Sequence, residues 1–524
     1  MTPQNLLPRA LCLALGCTLA FGATAATTTA YWYQTKTPYQ PQQEASTYEA
    51  APAGFKPVFT QMLARHGSRG LSSLKYDLAV HNMWLQAQAD GALTPLGAAL
   101  DADVMAIMKA NSLLGYGVEG ISKPGYGNET QLGISEHKVL AQRMVSRLQP
   151  YWKQVANNSV AKPRQIVVVT SGVDRAVDSG HYFTEGLLAA KPGLEKLVTT
   201  PAAPGPYPDV GTPVAQPAGT DRFELYFHKL VPATDLVTHT SDPHFVTYTD
   251  SQAYQAYKGA DADLLSRQAA LQANPAVGAA GRVVLERLFA KAFVDKIENG
   301  TYGFANTGTY SFTSDDGKFT STLTGDGKTK INSLASAAAL LYELYSIAPA
   351  MKAEAGVNFK PYMPQDQAEV VAELNDASDF YDKGPGFTEK GSATYKMAQG
   401  LVDDFFKEAD AIAAGDLSHA AKLRFAHAET VIPFASAMGL KNVLQQVPLA
   451  QTYSYASNPW RGVYVSPMAA NMQWDLYRNK AGQVIVKMLY NEAETDFKAA
   501  CDGAKLPGTQ HFYDYQQLRA CYGY

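Results

Sequence analysis

The chain has 524 residues, of which 46% are apolar and 18% are charged, and its formal net charge is −4. This composition is typical of a folded globular protein and not of a disordered one. The weak negative charge and the lack of a basic stripe argue against nucleic-acid binding, so an anionic ligand must be attracted by charge local to a pocket. The length predicts two or more domains, or one core with a large insertion.

Residues 1–25 are predicted to be a removable secretory signal peptide. Arg9 is followed by an apolar run at 10–22 and by small residues at 23–26, which is the pattern of such a signal. The apolar run is too short to span a bilayer as a stable helix. Lipid attachment at Cys17 is the weaker alternative, because the residue three positions before it is alanine. We therefore expect a periplasmic or secreted protein that makes no membrane contact after the signal is removed.

A histidine between two arginines follows the first predicted strand. Residues 56–64 alternate and carry β-formers, so they predict a strand, and the chain continues directly into Arg65-His66-Gly67-Ser68-Arg69. A neutral imidazole can attack phosphorus, and flanking arginines keep it neutral while they bind phosphate oxygens. The motif therefore predicts His66 as a nucleophile and Arg65 and Arg69 as phosphate ligands. The alternative is a loop histidine beside two solvated arginines.

A second strand places another cation near this motif. Residues 166–170 are continuously apolar, as in a strand buried on both faces, and a helical pattern over 174–188 completes an α/β unit. Arg175, one turn into that helix, is a candidate phosphate ligand, and Lys75 is a candidate ligand for a further phosphate group. Each is equally well explained as a solvated side chain. Helical patterns are also predicted over 93–111 and 130–150.

The middle of the chain is predicted to be mostly helical. A proline- and glycine-rich region at 197–220 is a candidate boundary, helical patterns dominate 251–420, and a stretch at 299–330 predicts a hairpin. The apolar run 334–351 contains Glu343 and predicts a buried helix.

Predicted strands return near the end of the chain, at 421–426 and 484–489. The simplest architecture is therefore an α/β core with a mixed, mostly parallel sheet and flanking helices, interrupted by a helical cap. We assign 27–195 and 421–524 to the core and 196–420 to the cap.

The strand at 421–426 ends in His427-Ala428-Glu429, ahead of a predicted helix at 430–438. Residues i and i+2 of a strand project to the same side, so His427 is predicted to bind the phosphate and Glu429 to protonate the leaving oxygen. The alternatives are a zinc-binding pair and a surface turn. Because ligands bind beyond the carboxyl ends of strands in open α/β sheets, both motifs and Arg175 are expected to meet.

Four cysteines are present, of which Cys12 and Cys17 lie in the predicted signal. In an exported chain, the remaining pair, Cys501 and Cys521, predicts a disulfide that closes the C-terminal tail. Two free buried thiols are the alternative. No clustered histidines lie nearby, so a metal site is poorly supported.

These motifs resemble those of the histidine phosphatases of the acid phosphatase branch, and most closely its multiple inositol polyphosphate phosphatase (phytase) subgroup. That subgroup has His-Ala-Glu where most of the branch has His-Asp. The similarity extends over roughly 55–521. Further matching segments are 129–133 with Glu136 and Arg143, Ser171 to Arg175 with Ser179 and Phe183, 380–386, 466–471 and 491–492.

The resemblance implies a covalent phosphohistidine at His66, phosphate binding by Arg65, Arg69, Arg175 and His427, and Glu429 as the proton donor. It implies no cofactor and no metal, and a small-molecule inositol phosphate as the partner. The sequence predicts no oligomeric state. One departure is Leu71, where the branch often has proline, and it changes the loop in which specificity is set.

Three other functions fit parts of the pattern. A broad acid phosphatase would prefer sugar phosphates or nucleotides. A periplasmic binding protein would capture phosphate compounds without turnover, which intact His66 and Glu429 argue against. A metallohydrolase would use His427 and Glu429 as ligands.

Overall fold

The computed structural model describes residues 32–157, 164–203 and 216–524. The predicted signal peptide lies outside the described residues, as does part of the predicted boundary at 197–220. The strands are β1 (Lys56–Arg65), β2 (Gln165–Thr170), β3 (Val198–Thr199), β4 (Phe304–Ala305), β5 (Thr309–Thr313), β6 (Thr320–Thr324), β7 (Lys330–Ile331), β8 (His419–Ala426), β9 (Asn471–Arg478), β10 (Val484–Tyr490), β11 (Ala493–Thr495) and β12 (Tyr513–Asp514).

The first nine helices are α1 (Tyr76–Ala89), α2 (Pro95–Leu113), α3 (Gln131–Arg147), α4 (Gln149–Ala156), α5 (Asp174–Ala190), α6 (Arg222–Leu225), α7 (Pro232–Asp235), α8 (Phe245–Ala260) and α9 (Ala262–Gln272). The others are α10 (Pro275–Leu288), α11 (Lys291–Glu298), α12 (Leu334–Ile347), α13 (Lys352–Ala355), α14 (Gln365–Asp382), α15 (Gln399–Ala413), α16 (Ala428–Ala437), α17 (Gly462–Val465) and α18 (Tyr515–Tyr522).

A mixed sheet of eight strands forms the centre of the fold. Its order is β11-β10-β9-β1-β8-β2-β3, and β12 also pairs with β10. The four strands from β1 to β3 along this order are parallel to one another. The strands on the other side of β1 are antiparallel to their neighbours. The predicted α/β class with a mixed sheet and flanking helices is therefore confirmed.

Helices cover both faces of the parallel half because its strands send apolar side chains to both sides. In β1, Met62 and Ala64 pack in a core that includes residues of α3, α4 and α5. Phe59 and Leu63 alternate with them and belong to a second core shared with α15 and α16. A parallel strand with this pattern is fixed on both faces, so the loop that follows its carboxyl end is held in place.

A separate apolar core lies among the helices between the two groups of sheet strands, chiefly α1, α2, α10, α12 and α14. The stretch Leu334–Ala355 is long and apolar enough, by length and composition alone, to cross a membrane, but 72% of its apolar window is buried in the protein. It therefore behaves as the predicted buried helix. β5 and β6 form the predicted hairpin. The assignment of 196–420 to a separate cap stays a prediction.

Two local features refine the predicted elements. The predicted helix at 130–150 is divided into α3 and α4, because Pro150, in the first turn of α4, cannot donate a backbone hydrogen bond to α3. Cys501 and Cys521 form the predicted disulfide, with their Cα atoms 5.7 Å apart.

Candidate active site

The site lies where three neighbouring parallel strands end. Arg65, the last residue of β1, is opposite Ala426, the last residue of β8, and β2 pairs with β8 on its other side up to Thr170. The backbone N–H of His66 donates to the carbonyl of Ala426 at 2.9 Å. The His66 and His427 rings are 5.7 Å apart between centroids. Both sequence motifs therefore meet at the carboxyl edge of the sheet, as expected.

His66 is held as a neutral base with one free nitrogen. Its side chain is buried, and Nδ1 lies 2.9 Å from the carbonyl oxygen of Gly67. A carbonyl only accepts hydrogen bonds, so Nδ1 carries the proton and Nε2 keeps its lone pair. Burial, and then the charges of Arg175 and of the two motif arginines, hold the pKa of His66 well below its ordinary value. The residue is thus prepared for nucleophilic attack.

The loop that carries His66 is fixed by two buried carboxyl side chains near the start of α3. The Gly67 N–H donates to Glu129 at 2.7 Å, and the Ser68 N–H and hydroxyl donate to Glu136 at 2.7 and 2.8 Å. Burial raises the pKa of Glu129 to about 8. A Cβ on Gly67 would lie 2.7 Å from the carbonyl oxygen of Gly133, so the loop and the helix approach too closely for a side chain.

Three arginines surround His66 and retain free donors. Arg65 donates to the carbonyls of Thr35 and Ser466 at 2.5 and 2.6 Å, and Arg69 donates to that of Gly70 at 2.7 Å. The Nε atoms of Arg65, Arg69 and Arg175 are buried and have no protein partner. Burial lowers the pKa of Arg65 to about 9 and that of Arg69 to about 10, so both remain cationic at neutral pH. A buried cluster of this kind is stabilised by an anion such as phosphate.

His427 and Glu429 also face this point, but by a different geometry from the one predicted. The helix α16 begins at Ala428, with His427 as its N-cap, so Glu429 lies in a first helical turn and not two residues along a strand. His427 Nε2 is 2.8 Å from the hydroxyl of Ser171. Burial and the charge of Arg175 hold the pKa of His427 well below its ordinary value. Glu429 Oε1 lies 3.4 Å from Lys383 Nζ.

A polar cavity of about 230 Å³ is lined by His66, the three arginines and Glu429, whereas His427 is not among its lining residues in the described structure. Its lining includes Thr35, Lys36, Arg65, His66, Arg69, Leu71, Arg175, Asp379, Lys383 and Glu429. Lys75 is not in this set among the described residues, and it precedes α1 as its N-cap, so its role stays a prediction. Leu71, the departure noted in the sequence, does line the cavity.

Sequence reasoning missed two cations of this cavity, Lys36 and Lys383. Lys36 lies in the segment before β1 and pairs with Glu343 at 2.9 Å. Lys383 follows the last residue of α14 and pairs with Asp379 at 3.0 Å. Neither belongs to a strand-end motif, although 380–386 was noted as a matching segment. In the described residues, no group of three or more His, Cys, Asp or Glu side chains is arranged to hold a metal ion.

Comparison with known proteins agrees with this geometry. The family model described as histidine phosphatase superfamily (branch 2) matches residues 58–491. A search of curated proteins finds no match. A solved multiple inositol polyphosphate phosphatase from Bifidobacterium longum, in complex with inositol hexasulfate, is 32% identical with a TM-score of 0.78 and covers 94% of this chain and 98% of its own.

Two further solved structures are similar. The Bifidobacterium longum protein in complex with phosphate has a TM-score of 0.80 with the same identity and coverage. A phytase from D. castellii is 12% identical with a TM-score of 0.58, covers 96% of this chain and 88% of its own, and is alike in fold alone. The chain is therefore a phosphatase that belongs to branch 2 of the histidine phosphatase superfamily.

Proposed function

We propose that this protein is an exported phosphomonoesterase that hydrolyses inositol hexakisphosphate and lower inositol phosphates through a covalent phosphohistidine. The observation that carries the proposal is the free Nε2 of a neutral His66 among three arginines, in a cavity that also contains Glu429. These groups supply a nucleophile, a phosphate-binding cluster and a proton donor.

In the first step, His66 Nε2 attacks phosphorus and forms the N–P bond while the bond to the alcohol oxygen breaks. The arginines bind the equatorial oxygens and neutralise their charge, which is the main source of rate enhancement in such transfers. Glu429 gives its proton to the departing alkoxide, because an inositol hydroxyl is a poor leaving group without it. The products are a free hydroxyl and phosphohistidine.

In the second step, water attacks the same phosphorus. The carboxylate of Glu429, now ionised, takes a proton from that water as the N–P bond breaks. Inorganic phosphate leaves, His66 is again neutral and Glu429 is again protonated. The reaction therefore closes without a metal or a cofactor, and Ser171 and Gly67 keep the two imidazoles oriented throughout.

Two observations favour a multiply phosphorylated substrate. Lys36 and Lys383 place two ammonium groups in the cavity beyond the arginines that bind the transferred group, and each is paired with a carboxylate, Glu343 or Asp379, that also lines the cavity. The Bifidobacterium longum relative, of which 98% is covered, forms a complex with inositol hexasulfate, an analogue with six anionic groups on one ring. A broad acid phosphatase acting on sugar phosphates or nucleotides is the second candidate, because the catalytic groups alone do not depend on the alcohol.

Export is supported by the N-terminal pattern, which lies outside the described residues, and by the disulfide between Cys501 and Cys521. Disulfides persist in the periplasm and outside the cell and are rare in the reducing cytosol.

The test is phosphate release from inositol hexakisphosphate by the mature protein in the presence of EDTA, beside His66→Ala. We expect release by the parent and none by the variant. Loss of parent activity with EDTA would support the metallohydrolase alternative. A clear preference for sugar phosphates or nucleotides in the same panel would favour the broad acid phosphatase, and no turnover of any phosphate would favour a binding protein.

A further inference from the structure

Lys383 connects the cavity to the proton donor. It follows the last residue of α14 as its C-cap, and its side chain is only 12% exposed. Its Nζ atom lies 3.0 Å from Asp379 and 3.4 Å from Glu429, and all three side chains line the same cavity. One ammonium group thus bridges two carboxylates, of which one is the donor in the proposed reaction.

The Lys383 contact opposes what the donor has to do. Burial is the largest single effect and raises the pKa of Glu429, but Lys383, His228 and His427 together outweigh it and hold that pKa well below its ordinary value. A general acid is useful only while it carries its proton. In the resting site, Glu429 is therefore an anion that has no proton to give.

Other charged groups face Glu429, so the effect of Lys383 must be separated from theirs. The titratable groups that face Glu429 come from several elements: His427 at the start of its own helix, Lys383 after α14, His228 before α7, Arg65 at the end of β1, Arg69 after β1, Arg175 on α5 and Tyr254 on α8. Among these, Lys383 is the one whose nitrogen lies in ion-pair distance of the Glu429 carboxylate in the described structure.

A phosphate group on a carbon next to the reacting one would compete for this lysine. A phosphate carries more negative charge than a carboxylate and accepts the same hydrogen bonds from an ammonium. Lys383 already lies on the cavity wall, and its flexible stem allows the ammonium to move between partners. When it contacts the second phosphate, Glu429 loses its nearest cation and gains a nearby anion.

We propose that Lys383 is a positioning residue that keeps Glu429 ionised in the empty site and moves away from it when a second phosphate of the substrate binds. A bound polyphosphate thus allows Glu429 to take up the proton that it donates. This inference rests on the proposed function and deepens it. It makes discrimination between polyphosphates and monophosphates a property of the chemical step and not only of binding.

The sign of the pH dependence follows from the role of Glu429. The donor works when protonated, so phosphoryl transfer falls as pH rises through the pKa of Glu429 in the complex. This alkaline limb of the pH–rate profile lies at higher pH for a polyphosphate, because Lys383 then contacts the second phosphate and not Glu429. For a monophosphate the lysine stays on Glu429, and the limb lies at lower pH.

The experiment is the single-turnover rate of phosphoryl transfer at saturating substrate as a function of pH, for inositol hexakisphosphate and inositol monophosphate. Both have alkoxide leaving groups, so they differ in the number of phosphates and not in the need for a proton. In the parent, we expect the alkaline limb of the polyphosphate to lie higher by roughly one pH unit or more. Lys383→Met should move the monophosphate limb to higher pH and so reduce the pH difference between the limbs of the two substrates.

Two variants serve as controls. Lys383→Arg keeps the charge and should leave both limbs in place. Lys36→Met removes a cavity cation that pairs with Glu343 and not with Glu429, so it should weaken polyphosphate binding without moving either limb. Equal alkaline limbs for the two substrates in the parent would overturn the proposal. So would a Lys383→Met variant that lowers both rates equally at every pH, or a limb shift of the same size in Lys36→Met.

The experiment also distinguishes a wrong substrate assignment from a wrong role for Lys383. If the parent does not hydrolyse inositol hexakisphosphate, the same comparison is made with a sugar bisphosphate and the matching monophosphate. A difference in their limbs that disappears in Lys383→Met supports the role of Lys383 on its own, and identical limbs contradict it.

Discussion

At the scale of the residue, the site depends on two groups with opposite protonation requirements. His66 must be neutral to attack, and burial together with nearby arginines secures this even in mild acid. Glu429 must be protonated to donate, which acid also favours. Because lower pH protonates more of Glu429 in the substrate complex while His66 stays neutral, we expect phosphoryl transfer to alkyl phosphates to be faster in mild acid than in alkaline solution.

The variant Glu429→Gln removes proton donation and leaves the other groups of the site in place. The amide has nearly the same shape but cannot give up a proton, so the rate with inositol phosphates should fall by roughly 10²–10⁴-fold. p-Nitrophenyl phosphate releases a weakly basic phenolate that hardly needs protonation, and its phosphoryl transfer should change little. Steady-state and single-turnover rates for the two substrates measure this. Equal losses with both would remove Glu429 from the role of donor.

The residues that the sequence revealed are those carried by compact motifs at strand ends. Arg65, His66 and Arg69 are adjacent along the chain, so their chemistry is visible in one string. Lys36 and Lys383 reach the cavity from distant elements and are single lysines locally, which composition cannot distinguish from solvated ones. The sequence places Glu429 two residues along a strand from His427, whereas in the structure the first turn of a helix presents it to the cavity.

At the scale of the element, the nucleophile loop is positioned by its packing against α3. A Cβ on Gly133 would lie 2.2 Å from the carbonyl oxygen of Ser68 and 2.8 Å from its amide nitrogen. Both atoms belong to the loop backbone that follows His66, so neither can move without moving the nucleophile. The same segment supplies the N–H groups that bind Glu129 and Glu136.

Gly133→Ala should therefore damage both stability and catalysis. We expect a loss of about 1–3 kcal/mol in the free energy of unfolding from overpacking, together with a lower rate of phosphoryl transfer. Gly278→Ala is the matched control, because Gly278 lies inside α10 with nothing within 4 Å of the added methyl group. It should gain up to about 1 kcal/mol from helix propensity. Denaturant unfolding and activity measured on both variants check this, and similar effects would contradict the close-packing account.

At the scale of the whole molecule, the sequence predicts β1, β2, β8 and β10 of the sheet, but it does not predict β3, β9, β11 or β12. β2 and β8 are short apolar runs next to recognisable turns. β9 was missed, because its Gln473 and Asp475 suggest a solvated face, yet both are buried. Arg147, on α3, pairs with them across the core, and a partner so far away in the sequence cannot be inferred from local pattern.

The α/β class followed from the two ends of the chain, which carry strand-and-turn patterns on either side of a helical middle. The packing of that middle did not follow, because which helix faces meet depends on contacts between distant segments. The connectivity does explain the site. β1 and β8 come from opposite ends of the described chain and lie side by side, so folding alone brings His66 and His427 together.

The central claim is that His66 becomes phosphorylated during turnover. Its most direct test is rapid quenching of the mature protein with inositol hexakisphosphate, under alkaline conditions that preserve phosphohistidine, followed by peptide mass spectrometry. We expect a transient phosphoryl group on the peptide that contains His66, and none in His66→Ala. Turnover of the substrate with no phosphorylated peptide at any quench time would contradict it, because water would then attack phosphorus directly.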